Sequence, residues 1–324
     1  MRKKYLNHTR RNKLDRNKII SEIERKRGSK VISYFLGPNS KIAADAVEVL
    51  FKHLKIVGKV KNLDLYLHTT GGLLEIPLKI VYLMREFSEK FSVIIPYRAH
   101  SAGTLISLGA DEIVMGKMSE FTPVDPQTMT PLNPKGAKGN VITVAVQDLI
   151  SFFNFLDEIG VKNKEEIVVN LTNLLHPLVV GTVNRSWSLI KLIIDKLLTL
   201  SGHKEEEKKR IIDLLSGGLP SHRYLITRWE AREILGDRVK FADEELDELM
   251  WELYEMYKVA LNPFTPYTKD PRTGREIRRV TAAIIETSNS GSHFIQTLEK
   301  RIHPDGKVEE LPLQGGWVDF KLPR

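Results

Sequence analysis

The sequence predicts an α/β fold with parallel strands, and three observations carry that reading. Two glycine turns, HTTGGL at 68–73 and AHSAGT at 99–104, punctuate the first third of the chain. Each ends a β-branched or aromatic run, LDLYL at 63–67 and SVIIPY at 92–97. Each opens a segment of helical periodicity, 73–87 and 104–109. Strand–turn–helix written twice is the pattern of a parallel βαβ unit. Its two turns lie at the carboxyl ends of neighbouring strands, where open α/β sheets place their sites.

The elements follow in order. Residues 17–27 read as a helix and 29–36 (SKVISYFL) as the first strand. Ala43, Ala44, Val47, Leu50 and Phe51 recur at helical spacing, which predicts an amphipathic helix over 42–54. Strand 63–67 and the Gly71-Gly72 turn follow, and Ile76, Ile80, Leu83, Met84 and Phe87 mark the next helix face. Strand 93–97 leads to Ser101, and a short strand covers 112–115. Residues 117–140, rich in Pro, Gly, Lys and Thr, read as a long loop of the kind that often carries function. The pattern is helical from 141 to 200. Segment 187–198 is too apolar for a one-sided surface helix and is either core or an oligomer contact. HKEEEKKR at 203–210 reads as a solvated charge run. Thr227 with Glu230 forms a capping box that starts a helix near Arg228, and 243–261 is another amphipathic helix. Beyond Asn262 the texture turns β-rich, with strands at 280–287 and 294–301 and a turn at Pro304-Asp305-Gly306. The expected division is a basic arm and helix (1–28), an α/β catalytic domain (29–261) and a β-rich C-terminal extension (262–324).

Composition narrows the function classes. At 324 residues the chain can bury a substantial core. No run approaches the roughly 20 apolar residues that span a bilayer, and the N-terminus has no apolar core of a secretory signal. A cytoplasmic location without a transmembrane segment is expected. The absence of cysteine excludes disulfides, thiolate metal sites and a cysteine nucleophile. Scattered histidines without an HExxH motif give no metal site, and no cofactor fingerprint is present. Residues 1–30 hold 12 Lys/Arg against 3 Asp/Glu, a net +9, while the whole chain is +8. The basic character therefore belongs to the N-terminal arm. That arm reads as a solvated leader, open to a weak, sequence-independent contact with a polyanion.

The turns supply the needs of acyl transfer. A serine at a strand-to-helix turn is exposed, and the small neighbours Ala102 and Gly103 let a carbonyl approach. Ser101 is thus a candidate nucleophile, or else a helix cap. Vicinal glycines at 71 and 72 leave backbone N–H groups uncovered for an oxyanion, or form an ordinary turn. A serine needs a base, and nine histidines are available. His8, His203 and His303 read as solvent-facing, His53 lies in a helix, and His68 reads as structural. His100 adjoins Ser101, where neighbouring side chains usually diverge. His176 and His293 remain as outsiders. His222, in a Gly/Pro-rich loop just before a helix, is best placed for chemistry. Asp125, fixed between prolines, either orients a base, lines a groove or simply forms a turn.

Taken in series, TTGG, HSAGT, DEIVMG (111–116), FTPVDPQ (121–127), SHRYLITRWEA (221–231) and ERKRGSKVI (24–32) resemble the Clp-protease/crotonase-fold serine peptidases. The chain is most similar to the serine dehydrogenase proteinase family, relatives of signal peptide peptidase A, over about residues 20–240. That resemblance implies a Clp/crotonase-like spiral of ββα units with added helices. It makes Ser101 the nucleophile and His222 the base. Gly72 and Ala102 become the oxyanion-hole donors, with Gly71 shaping the turn. It implies a peptide or protein substrate and a homo-oligomer. The Clp subunit places its histidine where this chain holds Asp125 and Pro126. Signal peptide peptidases use a lysine, and Lys135 and Lys138 lie nearby. Arg223 stands where the family usually has Asp, a departure that would suit a non-catalytic peptide-binding scaffold. An acyl-CoA hydratase or isomerase of this fold is disfavoured by the serine in the SAG turn.

Overall fold

The computed structural model describes residues 16–137, 139–261, 265–303 and 306–320. Most of the basic arm, Lys138, and Pro304 and Asp305 of the expected turn lie outside the described residues. In chain order the first elements are α1 (Arg16–Arg27), β1 (Lys30–Leu36), α2 (Asp45–Val57), β2 (Val60–His68), α3 (Ile76–Glu86), β3 (Ser88–Ile95), β4 (Arg98–Ala99) and α4 (Ala102–Leu108). Then come β5 (Glu112–Met115), β6 (Glu120–Phe121), β7 (Gln127–Thr128), β8 (Val144–Ala145), α5 (Val146–Glu158), α6 (Glu165–Leu174), α7 (Pro177–Leu200) and α8 (Glu205–Asp213). The chain ends with β9 (Ile226–Thr227), α9 (Arg228–Leu235), β10 (Val239–Phe241), α10 (Glu244–Leu261), β11 (Thr268–Lys269), β12 (Glu276–Glu286), β13 (Gly291–Ile302) and β14 (Val308–Phe320).

One nine-stranded mixed sheet runs β10-β5-β3-β2-β1-β12-β13-β14, with β11 paired to β12. The strands from β10 to β1 are parallel, and β12 joins β1 antiparallel. Helices cover both faces, as the near-continuous apolar runs of the parallel strands require. In β1, Ile32, Tyr34 and Leu36 turn to the larger core beneath α2, α3, α4 and α7. Val31 and Phe35 alternate to the opposite face, against Ile19, Ile20 and Ile23 of α1 and Leu253 and Tyr257 of α10. The α/β class and the β-rich C-terminal region are as the sequence predicts.

Some local expectations change. The charge run 203–210 is not wholly solvated. It opens α8, and Lys208 is 5% exposed, held by Asp195 (2.9 Å) and Glu205 (2.6 Å). The 117–140 loop contains β6 and β7. Segment 187–198 divides: Ile190, Ile193, Ile194, Leu197 and Leu198 are buried, while Leu189 and Leu192 are exposed. Among the described residues no single helix is long and apolar enough to cross a membrane, although α6 and α7, bent by 100°, pass that test as a pair.

Candidate active site

A second, three-stranded sheet assembles the site. Its order is β4-β6-β9, parallel between β4 and β6 and antiparallel between β6 and β9. β4 delivers Ser101, β6 delivers Thr122 and Asp125, and β9 follows the loop that carries His222 and Arg223. Three segments far apart in sequence therefore reach one cleft of about 230 Å³ that includes Thr70, His100, Ser101, Thr122, Asp125, His222 and Arg223.

Ser101 occupies the turn between β4 and α4 with φ 50° and ψ −107°. Among the described residues no other non-glycine has a positive φ. Such a backbone costs on the order of 1–3 kcal/mol and persists only where its surroundings hold it. Here the Ser101 N–H donates to Thr122 Oγ1 at 2.9 Å. The flanking backbone is clamped to the first glycine turn: Thr69 N–H donates to Arg98 O at 2.8 Å and His100 N–H donates to Thr69 O at 3.1 Å. The Ser101 side chain makes no capping hydrogen bond, so the helix-cap alternative does not account for it.

The glycine turn lies directly against this serine. Gly71 has φ 105°, a region suited to glycine, and a Cβ there would stand 3.1 Å from Ser101 Cβ and 3.6 Å from Oγ. Its N–H donates to Thr69 Oγ1 (3.0 Å) and its carbonyl accepts from Ile42 N–H (2.9 Å). At Gly72 a Cβ would fall 2.2 Å from Ile42 O, which no side chain can occupy. Among the described residues the N–H groups of Gly72 and Ala102 donate to no protein acceptor.

His222 and Asp125 face each other across the cleft, Nδ1 to Oδ2 at 3.8 Å, beyond hydrogen-bond length but within reach of a charge. The Asp125 side chain is 8% exposed and that of His222 44%. Asp125 Oδ1 accepts from Gln147 N–H at 3.3 Å, and its buried Oδ2 has no hydrogen-bond partner. Burial pushes the Asp125 carboxyl up from its ordinary value, and the Gln147 N–H and His222 partly offset the rise. No hydrogen bond joins Ser101 Oγ to His222.

The remaining expected residues are placed as follows. His100 does not diverge from the cleft. It lines it, with Nε2 3.0 Å from Glu120 Oε1, and burial lowers its pKa against the opposing pull of Glu120. Arg98 Nε donates to the same Glu120 oxygen at 3.2 Å. His68 is structural: its Nδ1 lies 3.0 Å from Leu36 O, its ring stacks on Phe35 at 4.5 Å, and burial lowers its pKa to about 4. His203 is half-buried and bonded to Ser201 Oγ at 2.9 Å rather than solvent-facing. Lys135 is exposed and does not line the cleft. Among the described residues no group of three or more His, Asp or Glu is arranged to hold a metal. Sequence reasoning missed Thr122, Glu120 and Thr70. The proline after Thr122 marks a rigid turn but says nothing of the hydroxyl's partner.

Residues 4–173 match the profile of a family described as ClpP-like SDH-type serine proteinase. An uncharacterized protein of Methanocaldococcus jannaschii is 27% identical over 276 residues, covering 81% of this chain and 86% of that protein. A second uncharacterized protein of the same organism is 28% identical over 283 residues, covering 81% and 84%. Among solved structures, a mutant of the 1510-N membrane-bound stomatin-specific protease aligns with TM-score 0.38 and 16% identity, covering 76% of this chain and 88% of that one.

Proposed function

The chain belongs to the ClpP-like SDH-type serine proteinase family, and on that premise we propose that it hydrolyses peptide bonds through an acyl-enzyme on Ser101. The observation that carries the reading is the strained Ser101 turn, its side chain unused as a cap, packed on the Gly71-Gly72 turn in one cleft with His222 and Asp125. Ser101 Oγ attacks the scissile carbonyl and passes its proton to His222. The Gly72 and Ala102 N–H groups receive the tetrahedral oxyanion, because the Ser101 N–H is already taken by Thr122. Asp125 opposes the imidazolium charge on His222. His222 then hands its proton to the leaving amine, which departs, and water resolves the acyl-enzyme by the reverse sequence. Catalytic hydrogen bonds are commonly long in unliganded sites and tighten on substrate, and the 3.8 Å His222–Asp125 separation belongs to that class.

Peptide turnover by the full chain tests this. Ser101→Ala is expected to lower kcat/KM on the order of a thousandfold or more with unchanged thermal stability, and His222→Ala nearly as much, since nucleophile and base act as one unit. Loss in Lys135→Ala or Lys138→Ala with a fully active His222→Ala would assign the base to lysine instead. A peptide-binding scaffold without turnover is the second reading, favoured by the missing Ser101–His222 hydrogen bond. It predicts peptide binding and no cleavage by the wild-type chain.

A further inference from the structure

We propose that Arg223 makes the Ser101 cleft a reader of carboxylates, so that the preferred substrate carries a negative charge close to the bond that Ser101 attacks. The inference rests on the peptidase reading above and names the substrate class of that site.

The charges around the cleft are sorted by accessibility. Its acids are inward and engaged. The Asp125 side chain is 8% exposed and faces His222, and that of Glu120 is 15% exposed and holds both Arg98 and His100. Two outward cations near the cleft meet no carboxylate among the described residues. Arg223 lines the cleft beside His222, is exposed, and forms no ion pair among the described residues. Its backbone N–H donates to Ser221 Oγ at 3.1 Å. Lys41 stands at the Thr70 side, its Nζ donating to Thr70 Oγ1 at 3.1 Å and to no carboxylate.

A guanidinium whose five donors are unused by the protein matches the planar fork of a carboxylate. An arginine left free in water loses little when a substrate carboxylate arrives, whereas a lysine or arginine on the substrate would meet like charge from Arg223 and Lys41. Two substrate groups share this chemistry: an Asp or Glu side chain, and the carboxylate at a chain terminus.

The test separates binding from turnover. Full-length Ser101→Ala, which cannot form the acyl-enzyme, is titrated with fluorescent peptides of one scaffold. One set carries Glu at each position in turn with an amidated C-terminus. A second is all-Gln and amidated, and a third is all-Gln with a free C-terminus. We expect Glu at one or two positions, or the free terminus, to bind about tenfold tighter than the all-Gln amide, the size of a charge-assisted hydrogen bond. The set showing the gain identifies which carboxylate is read. Adding Arg223→Ala should bring the sets to within about twofold of one another, and Arg223→Glu should reverse the preference, so that the all-Gln amide binds tightest. Thermal unfolding checks that each variant is folded, and the preference ratio is read within each variant. Equal or absent binding of all sets, or a preference that survives Arg223→Ala, overturns the inference. Labelling of the wild-type chain by an uncharged fluorophosphonate is read in parallel. Labelling at Ser101 with no carboxylate preference sinks the inference alone. A carboxylate preference with no labelling sinks the peptidase reading alone.

Discussion

Gly72 is the residue whose substitution separates turn geometry from nucleophile chemistry. A Cβ at this position would meet Ile42 O at 2.2 Å, Ile42 N at 2.3 Å and Ile42 Cα at 2.7 Å, all backbone atoms that cannot swing aside. Gly72→Ala must therefore move the turn away from Ile42 and carry its N–H with it. Loss of one oxyanion donor costs on the order of a hundredfold to a thousandfold in kcat, and that is the expected range here, with a lowered Tm from the broken Ile42 contacts. Gly72→Ala with kcat within about threefold of wild type would remove Gly72 from the oxyanion hole. At this scale much was legible from local pattern. Vicinal glycines, a serine between strand and helix, and a proline-flanked aspartate are each visible without a fold. Thr122, Glu120 and Lys41 were not, because a hydroxyl or charge acquires its role only from a partner across the chain. Thr122 meets Ser101 across 21 residues, and Lys41 meets Thr70 across 29.

Elements with a single strong period were read well, and those whose charge or glycine content conflicts with their burial were not. The helix starting at Arg228 was fixed by Thr227, whose side chain does accept from Glu230 N–H at 3.4 Å. The sequence analysis names no strand over β14, whose Pro312, Gly315 and Gly316 interrupt the alternation a strand shows. At Gly315 the space of a Cβ is filled by the Phe294 ring, 2.7 Å away, so the strand uses glycine for close packing. α8 was misread because Lys208 finds its compensating acids on α7 and on its own first turn. α7 retains a prediction. It buries Ile190, Ile193 and Ile194 yet leaves Leu189 47% and Leu192 51% exposed, and α6 buries nothing despite its apolar face. We propose that these helices meet a second copy of the chain. Light scattering should give more than a monomer's mass at micromolar concentration, and Leu189→Glu with Leu192→Glu should reduce it. A monomer in the wild-type chain contradicts this.

Across the whole molecule, the site exists only because the small β4-β6-β9 sheet gathers residues spread along nearly half of the chain. The parallel strands β2 and β3 present the glycine and serine turns side by side, as the βαβ reading required. The C-terminal strands β12, β13 and β14 extend the large sheet from β1, on the opposite side from β2, β3 and β5. His53 on α2 ties this extension in place, with ring nitrogens 2.8 Å from Ser290 Oγ and 3.0 Å from Ser292 Oγ. The central claim is that Ser101 is a nucleophile, held poised by the rest of the fold. Its most direct test is mass-spectrometric mapping of the adduct formed when the intact chain reacts with an uncharged fluorophosphonate. The account predicts one modified site, Ser101, with labelling abolished in Ser101→Ala and slowed in His222→Ala. An unmodified Ser101 in a folded chain, or an adduct carried mainly by another residue, would contradict it.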